Sequence, residues 1–335
     1  MTGTPPSSTL PASEPTLSLL IATYNRASLL DRTLTSVLEG TTAKPDQIVI
    51  VCGGSDRTPT VVAAHAARHA VPIELVEIVN QGLSYAQNVG YASCTGEIVA
   101  TLDDDVEVAP DWAERLRASH RAHPDAGGIG GKTLNMHPRS VAARFEQVRA
   151  FEIEGDGVVK VRTVAGVNMS YKRTVMALVG PFDETLPSGM DVDYNWRVAL
   201  AGHDVLYDPS IVLTHHNRTG VWAVVRQQRW YGRGYFGTRR KWPALPSAPP
   251  RHLQGWKNGV KMILFVLDPF YQALRLARRA EEGDRLAFAF LGFAADVCWK
   301  LGFVQEWRET ARRPSQTSNT RWPERETEQR KEVVV

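Results

Sequence analysis

The chain has 335 residues, of which 43% are hydrophobic and 22% are charged, and its formal net charge is +3. This length allows one large domain with an appendage, or two domains, and easily encloses a hydrophobic core. Such a small net charge argues against nucleic acid as a partner, because nucleic-acid-binding surfaces are strongly basic.

The two ends of the chain read as disordered segments. Residues 1–15 are rich in Ser, Thr and Pro and lack the basic and apolar regions of a signal peptide. The mixed-charge tail over residues 312–335 is equally poor in apolar residues. The chain holds an odd number of widely separated cysteines, Cys52, Cys94 and Cys298, which argues against a disulfide framework. We therefore expect a cytoplasmic protein.

Four apolar runs alternate with helical patterns in the first part of the chain. They are Leu17–Thr23, Gln47–Val51, Ile73–Val79 and Ile98–Leu102. This alternation predicts an α/β fold with a mostly parallel sheet and helices on both of its faces. Ligands of such sheets bind at the carboxyl ends of the strands, which is where the polar loops that follow these runs would meet.

The fourth run ends in three adjacent aspartates, Asp103, Asp104 and Asp105. Clustered carboxylates repel one another, and a hard divalent cation removes the conflict because Mg²⁺ and Mn²⁺ prefer oxygen ligands. The alternative is a solvated acidic turn, which would be the better interpretation of the motif in isolation. The neighbouring loops at the same predicted edge favour the metal site.

The pattern loosens after a helix that begins near Trp112. Gly127–Thr133 imitates a phosphate loop, but Ala126 stands where its first glycine should be and no helical pattern follows. We predict a strand over Val161–Tyr171, a helix that ends at Gly202, and two short strands just before His215. The short strands are Val205–Tyr207 and Ile211–Leu213.

Residues 221–311 form a third region, first basic and aromatic and then hydrophobic. Its two hydrophobic helical stretches are Trp256–Arg278 and Leu286–Phe303. The apolar character of the second continues to Val304, which makes it long enough to span a bilayer, but Asp296 and Lys300 interrupt it at a cost of roughly 2.5–3.5 kcal/mol each near the centre. Two interpretations stay open: a hairpin that contacts the membrane surface, and a helical subdomain packed on the core.

A series of motifs in the first two thirds of the chain resembles the family 2 glycosyltransferases of the GT-A fold. The resemblance covers about residues 17–220. The motifs are Ala22-Thr23-Tyr24-Asn25-Arg26, Gly54-Ser55-Asp56, Asn80-x-Gly82-x-x-x-Ala86-x-Asn88-x-Gly90, Thr95-Gly96-Glu97, Leu102-Asp103-Asp104-Asp105, Gly166-x-Asn168-Met169, Gly180-x-Phe182-Asp183-Glu184 and Gly189-x-Asp191-x-Asp193-x-x-x-Arg197.

The resemblance implies a role for each matching residue. Asp105, Asp103 and His215 would hold a divalent metal, Mn²⁺ or Mg²⁺, with Asp103 also near the donor ribose. Asp191 stands where the family places its catalytic base. Binding of the nucleotide-sugar donor would fall to Thr23, Tyr24, Asn25, Arg26, Gly54, Asp56, Asn80, Gly82, Asn88, Asp103 and Asp104. The implied catalytic domain covers residues 16–220, with a donor half over 16–125 and an acceptor half over 126–220.

The sequence also departs from the family pattern. Cys52 replaces an aspartate that reads the nucleobase, and Gln87 replaces a common arginine. Met190 replaces an acidic residue that often precedes the base, which would make Asp191 easier to ionise. Arg226 stands where the Gln-x-x-Arg-Trp motif of processive synthases has glutamine, so we expect transfer of a single sugar.

The function that follows is a metal-dependent, inverting glycosyltransferase of the hexosyltransferase type. We expect it to act in envelope polysaccharide or glycolipid assembly, on a glycan or lipid-linked acceptor, with peripheral contact to the inner face of the cell membrane. The basic and aromatic residues after Val221 could contact phosphates of such an acceptor or lipid headgroups, or form a solvated helix face. The alternative function is a catalytically inactive protein that binds nucleotide sugars as a scaffold, suggested by Cys52 and Gln87. A nucleotidyltransferase is disfavoured, since Ala22–Arg26 is not glycine-rich.

Overall fold

The computed structural model describes residues 14–150, 153, 155–242 and 256–312, and for 256–264 and 312 it describes the backbone alone. The predicted disordered lead over 1–15 and tail over 312–335 therefore lie almost entirely outside the described residues. Within these ranges the chain forms one mixed sheet, helices on both of its faces and a C-terminal helical region.

The strands of the sheet are listed here in chain order: β1 (Leu17–Thr23), β2 (Gln47–Cys52), β3 (Ile73–Glu77), β4 (Ile98–Leu102), β5 (Val106–Val108), β6 (Ala126–Asn135), β7 (Val159–Lys160), β8 (Asn168–Lys172) and β9 (Asp204–His215). The helices are α1 (Ala27–Leu38), α2 (Thr58–Arg68), α3 (Leu83–Ser93), α4 (Trp112–Ala122), α5 (Val141–Ala150), α6 (Arg173–Val179), α7 (Met190–Leu200), α8 (Val221–Lys241), α9 (Trp256–Arg279) and α10 (Arg285–Arg312).

The first half of the sheet is the parallel part that the sequence predicts. Its strands lie in the order β3-β2-β1-β4, and all three pairings are parallel. Successive residues of a strand point to opposite faces, so Leu19 packs with the α1 side and Leu20 with the α3 side. Burial of both faces explains why β1, β2 and β4 are continuous apolar runs, whereas β3 at the edge of the sheet is partly exposed and carries two glutamates.

The second half of the sheet is largely antiparallel. Strand β8 pairs antiparallel with both β4 and β6, and β9 runs parallel to β6 but antiparallel to β5 and β7. The predicted α/β fold class is confirmed, and the sheet is mixed because this second half adds antiparallel pairings to the parallel ones. The difference between the two halves arises because β8 enters beside β4 from the opposite direction, where a further helical crossover would have kept it parallel.

Two strand predictions in the second half are wrong in detail. Only the last residues of the predicted strand over Val161–Tyr171 form a strand, β8. The residues between β7 and β8 include a turn in which the Asn168 amide donates to the Ala165 carbonyl at 3.2 Å. The two predicted short strands before His215 are one strand, β9, whose register against β6 shifts after Asp208. A local apolar pattern records neither event, because both depend on pairing with distant strands.

The glycines between Ala126 and Thr133 belong to strand β6 and do not form a loop ahead of a helix. A Cβ atom on Gly131 would lie 2.2 Å from the Ile211 carbonyl oxygen, and one on Gly130 would lie 2.4 Å from the Val164 side chain. Neighbouring backbone and side chains therefore leave no room for larger residues. The resemblance to a phosphate loop results from close packing across the sheet.

The C-terminal helices pack on one another and on α5. Phe145 of α5 meets Phe288 of α10 edge to face, with ring centroids 5.4 Å apart. Helix α8 crosses α10 at two glycines, where a Cβ on Gly232 would lie 1.9 Å from the Trp299 carbonyl and a Cβ on Gly302 equally close to the Arg229 carbonyl. The crossing therefore depends on the absence of side chains at these two positions.

The substitution Gly232→Ala is expected to lower the free energy of unfolding by about 2 kcal/mol, because overpacking of a tight contact outweighs the better helix propensity of alanine. Chemical denaturation followed by circular dichroism measures the change. Gly283→Ala is the matched control, since no atom lies within 4 Å of its Cβ. Equal stability of the two variants would contradict the close crossing.

Candidate active site

The acidic cluster lies at the edge of the sheet where β1 and β4 end. The last residues of β9 lie at the same edge. Asp103–Asp105 follow β4 directly, and the segment from Tyr24 to Arg26 follows the adjacent β1. Strand β5 begins at Val106 and pairs Val106 with His215 at the end of β9. This pairing carries His215 to Asp105, although 110 positions separate them in the sequence.

Asp104 fastens the acidic turn to the end of β1. Its carboxylate accepts a hydrogen bond from the Thr23 hydroxyl at 2.7 Å and pairs with the Arg26 guanidinium at 2.8 Å. Burial raises the pKa of Asp104 to about 6, against the opposing effects of Arg26 and Thr23. Both oxygens are engaged, so Asp104 holds the turn in place.

Asp105 faces the histidine predicted as a metal ligand. One of its carboxylate oxygens, Oδ1, lies 3.3 Å from Nε2 of His215, and the other pairs with Arg26. Burial alone would raise the pKa of Asp105, but His215 and Arg26 together lower it to about 2. Asn217, a residue that the motif comparison missed, accepts from Nδ1 of His215 and directs Nε2 towards the carboxylates.

Three side chains at this edge have the donor set of a divalent metal site. The ligand atoms of Asp103, Asp105 and His215 all lie within 4.8 Å of one another. Two carboxylates and an imidazole suit Mn²⁺ or Mg²⁺, and Asn217 supplies the outer hydrogen bond typical of a ligating histidine. The residues present therefore fit the metal that the sequence predicts.

A second group of metal-binding residue types lies between α1 and α2. Its members are Glu39, His65 and His69. The Arg68 guanidinium lies among them, 3.4 Å from Nδ1 of His65 and 3.8 Å from the Glu39 carboxylate. The Asp31 carboxylate lies 2.8 Å from the other ring nitrogen of His65, Nε2. A cation is already present in this group, which we interpret as an ion-pair network.

Arg26 is the cation that neutralises the acidic turn. The substitution Arg26→Ala is expected to lower the free energy of unfolding of the metal-free protein by about 1–2 kcal/mol, because Asp104 and Asp105 lose a shared partner that is itself partly exposed. Mn²⁺ should bind more tightly to the variant and raise its melting temperature more than that of the parent protein. Thermal denaturation with and without Mn²⁺ measures both effects.

Arg32→Ala serves as the control for this experiment. Arg32 also pairs with a carboxylate, Glu107, at 2.5 Å, but both side chains are exposed. Its loss should change stability by less than about 0.5 kcal/mol and leave the effect of Mn²⁺ unchanged. If Mn²⁺ stabilises Arg26→Ala and the parent protein equally, Arg26 does not compete with the metal.

Asp191 lies in the first turn of α7, on the far side of the cluster. Its carboxylate accepts from the backbone amides of Val192 at 2.9 Å and Gly166 at 3.3 Å. Burial raises the pKa of Asp191, and the two amides oppose this rise. The pKa of Asp103 is raised first by burial, then by the charge of Asp105, and to a smaller extent by the charge of Asp191. The carboxylates of Asp103 and Asp191 therefore influence each other electrostatically.

Asp193, two residues along α7, differs from Asp191 in having its charge fully paired. It is buried and accepts from Arg197 at 3.0 Å, from Lys241 at 2.8 Å and from the Trp242 indole at 2.6 Å. These partners join α7 to the end of α8. Among the contacts described, the Asp191 carboxylate accepts from backbone amides and from no side chain, whereas Asp193 is bonded to three side chains.

The turn after β1 fits closely against the turn after β2. Asn25 adopts a left-handed conformation with φ of +54°, and its side chain accepts from the Ser55 amide at 2.8 Å. A Cβ atom on Gly54 would lie 2.5 Å from the same Asn25 oxygen. Tyr24, the residue before Asn25, is exposed. The structure thus brings Tyr24, Asn25 and Gly54 together at the edge that carries Asp104.

Three other residues predicted to bind the donor are engaged with the protein itself. Asp56 accepts from the Ala27 amide at 2.8 Å and from the Thr58 amide at 3.1 Å, so it caps both α1 and α2. Asn88 exchanges hydrogen bonds with the Phe182 backbone at 2.8 and 3.0 Å. Asn80 accepts from the Gly82 amide at 3.0 Å, and Gly82 with φ of +105° starts α3.

One aromatic side chain of α8, Tyr231, is influenced by the charges of the cluster without any signal in the motifs. Desolvation raises the pKa of Tyr231, and the charges of Glu146, Asp191 and Asp103 add to the effect. Its hydroxyl accepts from the Gln227 side chain at 2.6 Å, and 39% of the residue is exposed. Tyr231 is therefore a partly exposed aromatic residue within electrostatic range of the acidic cluster. Its position in an aromatic and basic segment is the only sequence signal that could have singled it out.

Comparison with known proteins adds independent findings. The family model described as Glycosyl transferase family 2 matches residues 18–176. The chain is similar to the pre-mycofactocin glycosyltransferase of Mycobacterium tuberculosis, with 28% identity over 227 residues that cover 64% of this chain and 46% of the relative. It is also similar to the glucosyl-dolichyl phosphate glucuronosyltransferase of Haloferax volcanii, with 29% identity over 50% of this chain and 56% of the relative. The chain spans about half the length of these curated relatives.

Solved structures show the same fold. A mannosyltransferase from Pyrobaculum calidifontis, in complex with GDP-Man and Mn²⁺, has a TM-score of 0.63 at 18% identity, with 89% of this chain and 88% of that chain covered. GalNAc-T7 with UDP, GalNAc and Mn²⁺ has a TM-score of 0.52 at 15% identity and covers 77% of this chain and 55% of its own. At these identities the likeness establishes the GT-A-like fold alone.

Proposed function

The family model described as Glycosyl transferase family 2 matches residues 18–176 of this chain, and on this basis we propose that the protein is a metal-dependent, inverting glycosyltransferase. It would move one sugar from a nucleotide-sugar donor to an acceptor hydroxyl. The observation that carries this proposal is the convergence of Asp103, Asp105 and His215 within 4.8 Å, with the carboxylate of Asp191 close enough to affect the pKa of Asp103.

Asp191 is the proposed catalytic base. As the acceptor oxygen forms its bond to the anomeric carbon, its proton passes to the Asp191 carboxylate. The bond from the anomeric carbon to the diphosphate breaks, and its electron pair leaves with the nucleoside diphosphate. Attack on the face opposite the leaving group inverts the configuration. The amides of Gly166 and Val192 orient the carboxylate for this step.

The remaining polar groups bind and orient the donor in this proposal. A divalent metal held by Asp103, Asp105 and His215 would neutralise charge on the diphosphate when bound. Arg26 could turn from the carboxylates to the donor phosphates, since its side chain is partly exposed. Cys52 is buried at the end of β2, with its sulfur 3.7 Å from the Gly54 carbonyl, so it offers no strong acceptor to a nucleobase.

The proposed acceptor is a glycan or lipid-linked sugar in envelope polysaccharide or glycolipid assembly. The names of the curated relatives support this class, one of them acting on a glucosyl-dolichyl phosphate. Among the described residues, one helix, Glu282–Ala311, is long and apolar enough to cross a membrane, and this is weak evidence by itself. We favour peripheral contact with the inner face of the membrane.

The test is a panel of nucleotide sugars incubated with the purified full-length chain, Mn²⁺ and an extract of lipid and glycan acceptors. Release of nucleoside diphosphate with one donor, and inverted product configuration by NMR, would support the proposal. Binding of a donor without release under any condition would favour the inactive scaffold. Loss of release on addition of a chelator would establish the metal requirement.

A further inference from the structure

Helices α9 and α10 form an antiparallel hairpin with a large apolar outer side. The pairing is fixed by Lys300 and Asp268 at 2.9 Å and by the rings of Phe293 and Phe270 at 5.0 Å. We define the hairpin face as the exposed apolar residues on this side. They are Val266, Leu267, Phe270, Tyr271, Leu274, Leu286, Phe290, Phe293 and Leu301.

The opposite side of the hairpin already supplies its share of the core. Leu276, Phe288, Leu291 and Ala295 pack with Phe145 and Val224 of α5 and α8. The outer residues therefore contribute little to that core: Leu286 is 88% exposed, Phe270 62% and Phe290 59%. A contiguous surface of aromatic and aliphatic side chains that the fold leaves in water indicates a binding surface.

The charges around the hairpin face fit an anionic lipid surface. Exposed arginines border its turn at positions 275, 278, 279 and 285. Glu281 and Glu282 are exposed beside them, and Asp284 is paired with Arg144 at 2.5 Å, so Arg275, Arg278 and Arg285 alone outnumber the two exposed glutamates at this end. Aromatic residues beside arginines are the composition of helices that lie in the headgroup region, where guanidinium groups contact phosphates.

The polar residues of α10 argue against a helix that crosses the bilayer. Asp296 and Lys300 are buried and pair with each other, and Lys300 also pairs with Asp268. Both therefore face protein, and α10 is further held against α8 by the close approach of Gly302 to Arg229. A helix with one side packed on protein and the other apolar can lie along an interface but cannot be surrounded by lipid.

We propose that the hairpin face docks this protein on the surface of an anionic phospholipid bilayer, with α9 and α10 lying parallel to the membrane. The docking deepens the proposed function on which it rests, because α10 packs on α8, and Lys241 at the end of α8 pairs at 2.8 Å with Asp193 of α7, the helix that carries Asp191. The site would then stand beside the headgroup layer, where a lipid-linked acceptor presents its sugar.

The proposal is tested by sedimentation of the full-length chain with vesicles. Vesicles of phosphatidylcholine with 30% phosphatidylglycerol should bind the protein at least tenfold more tightly than vesicles of phosphatidylcholine alone. The variant Leu267→Ser/Leu274→Ser/Phe290→Ser, which keeps the contact between Phe270 and Phe293, should lose at least tenfold in affinity for the anionic vesicles. The variant Arg275→Gln/Arg278→Gln/Arg285→Gln should lose the preference for anionic lipid.

The matched control is Leu178→Ser/Leu200→Ser, which removes two exposed leucines from helices α6 and α7. It should bind anionic vesicles as the parent protein does. Equal binding of vesicles by the triple serine variant and this control would overturn the proposal. A parent protein that does not bind vesicles but forms a dimer, which the triple substitution dissociates, would overturn it as well. Vesicle sedimentation does not require sugar transfer. Nucleoside diphosphate release is measured separately without vesicles, so a failure of the proposed function can be told apart from a failure of docking.

Discussion

Asp191→Asn is expected to lower the rate of sugar transfer by about 10²–10⁴-fold, the usual contribution of a general base. Asparagine keeps the size of the side chain but only one oxygen acceptor, so it accepts from the amide of Gly166 or of Val192 and not from both, and it cannot take the acceptor proton. Donor affinity, measured by calorimetry with Mn²⁺ present, should change less than twofold. Product formation under single-turnover conditions reports the chemical step.

Asp111→Asn is a suitable control for this substitution. Asp111 stands at the start of α4, as Asp191 stands in the first turn of α7, but its exposed side chain pairs only with Arg115 among the contacts described. The activity of Asp111→Asn should match that of the parent protein. Full activity of Asp191→Asn would show that another group accepts the proton.

Because the pKa of Asp191 is raised, the activity of the parent protein should begin to fall at a higher pH than it would with an ordinary aspartate as the base.

Asp105→Asn is expected to weaken Mn²⁺ binding by at least about 100-fold, because it removes a charged ligand, and loss of even an outer partner of a metal site costs 10–100-fold. Metal-dependent donor binding and transfer should be lost with it. Calorimetric titration of Mn²⁺, with and without donor, measures both. Asparagine retains the shape of the side chain beside His215 and therefore separates charge from packing.

The adjacent Asp104→Asn provides the comparison. Asp104 carries the same charge but faces Thr23 and Arg26 rather than His215. Its substitution should weaken Mn²⁺ binding by less than tenfold and should lower stability, because the turn loses its attachment to β1. If the two variants bound Mn²⁺ equally well, the assignment of Asp105 as the ligand would be wrong.

Some features follow from the sequence because they are local. Apolar runs predicted β1, β2, β3 and β4 close to their observed bounds, and β1, β2 and β4 are strands buried on both faces. The carboxyl ends of adjacent parallel strands meet whatever the rest of the fold does, so the sequence also predicted that the turns after β1 and β4 lie together. The resemblance carried by the ordered motifs named the family before any contact was known.

Other assignments depend on where a side chain points. Asp56 and Asn88 stand in motifs that predict donor binding, yet their oxygens accept from backbone amides of the protein. Whether they also reach a donor stays a prediction. Motif spacing places a residue on a loop, but competition between backbone and ligand for its hydrogen bonds is decided by distances that only the folded chain sets.

The sequence by itself thus determined the parallel half of the sheet and its acidic edge, and its motifs indicated a resemblance to one family. Only the tertiary structure decided that antiparallel pairing of β5 with β9 brings His215 to that edge. It likewise decided the close crossing of α8 over α10 at Gly232 and Gly302. It also decided that Asp296 and Lys300 face each other inside the helical hairpin. Strand register and helix crossing depend on contacts between segments far apart in the chain, and no local pattern of residues encodes them.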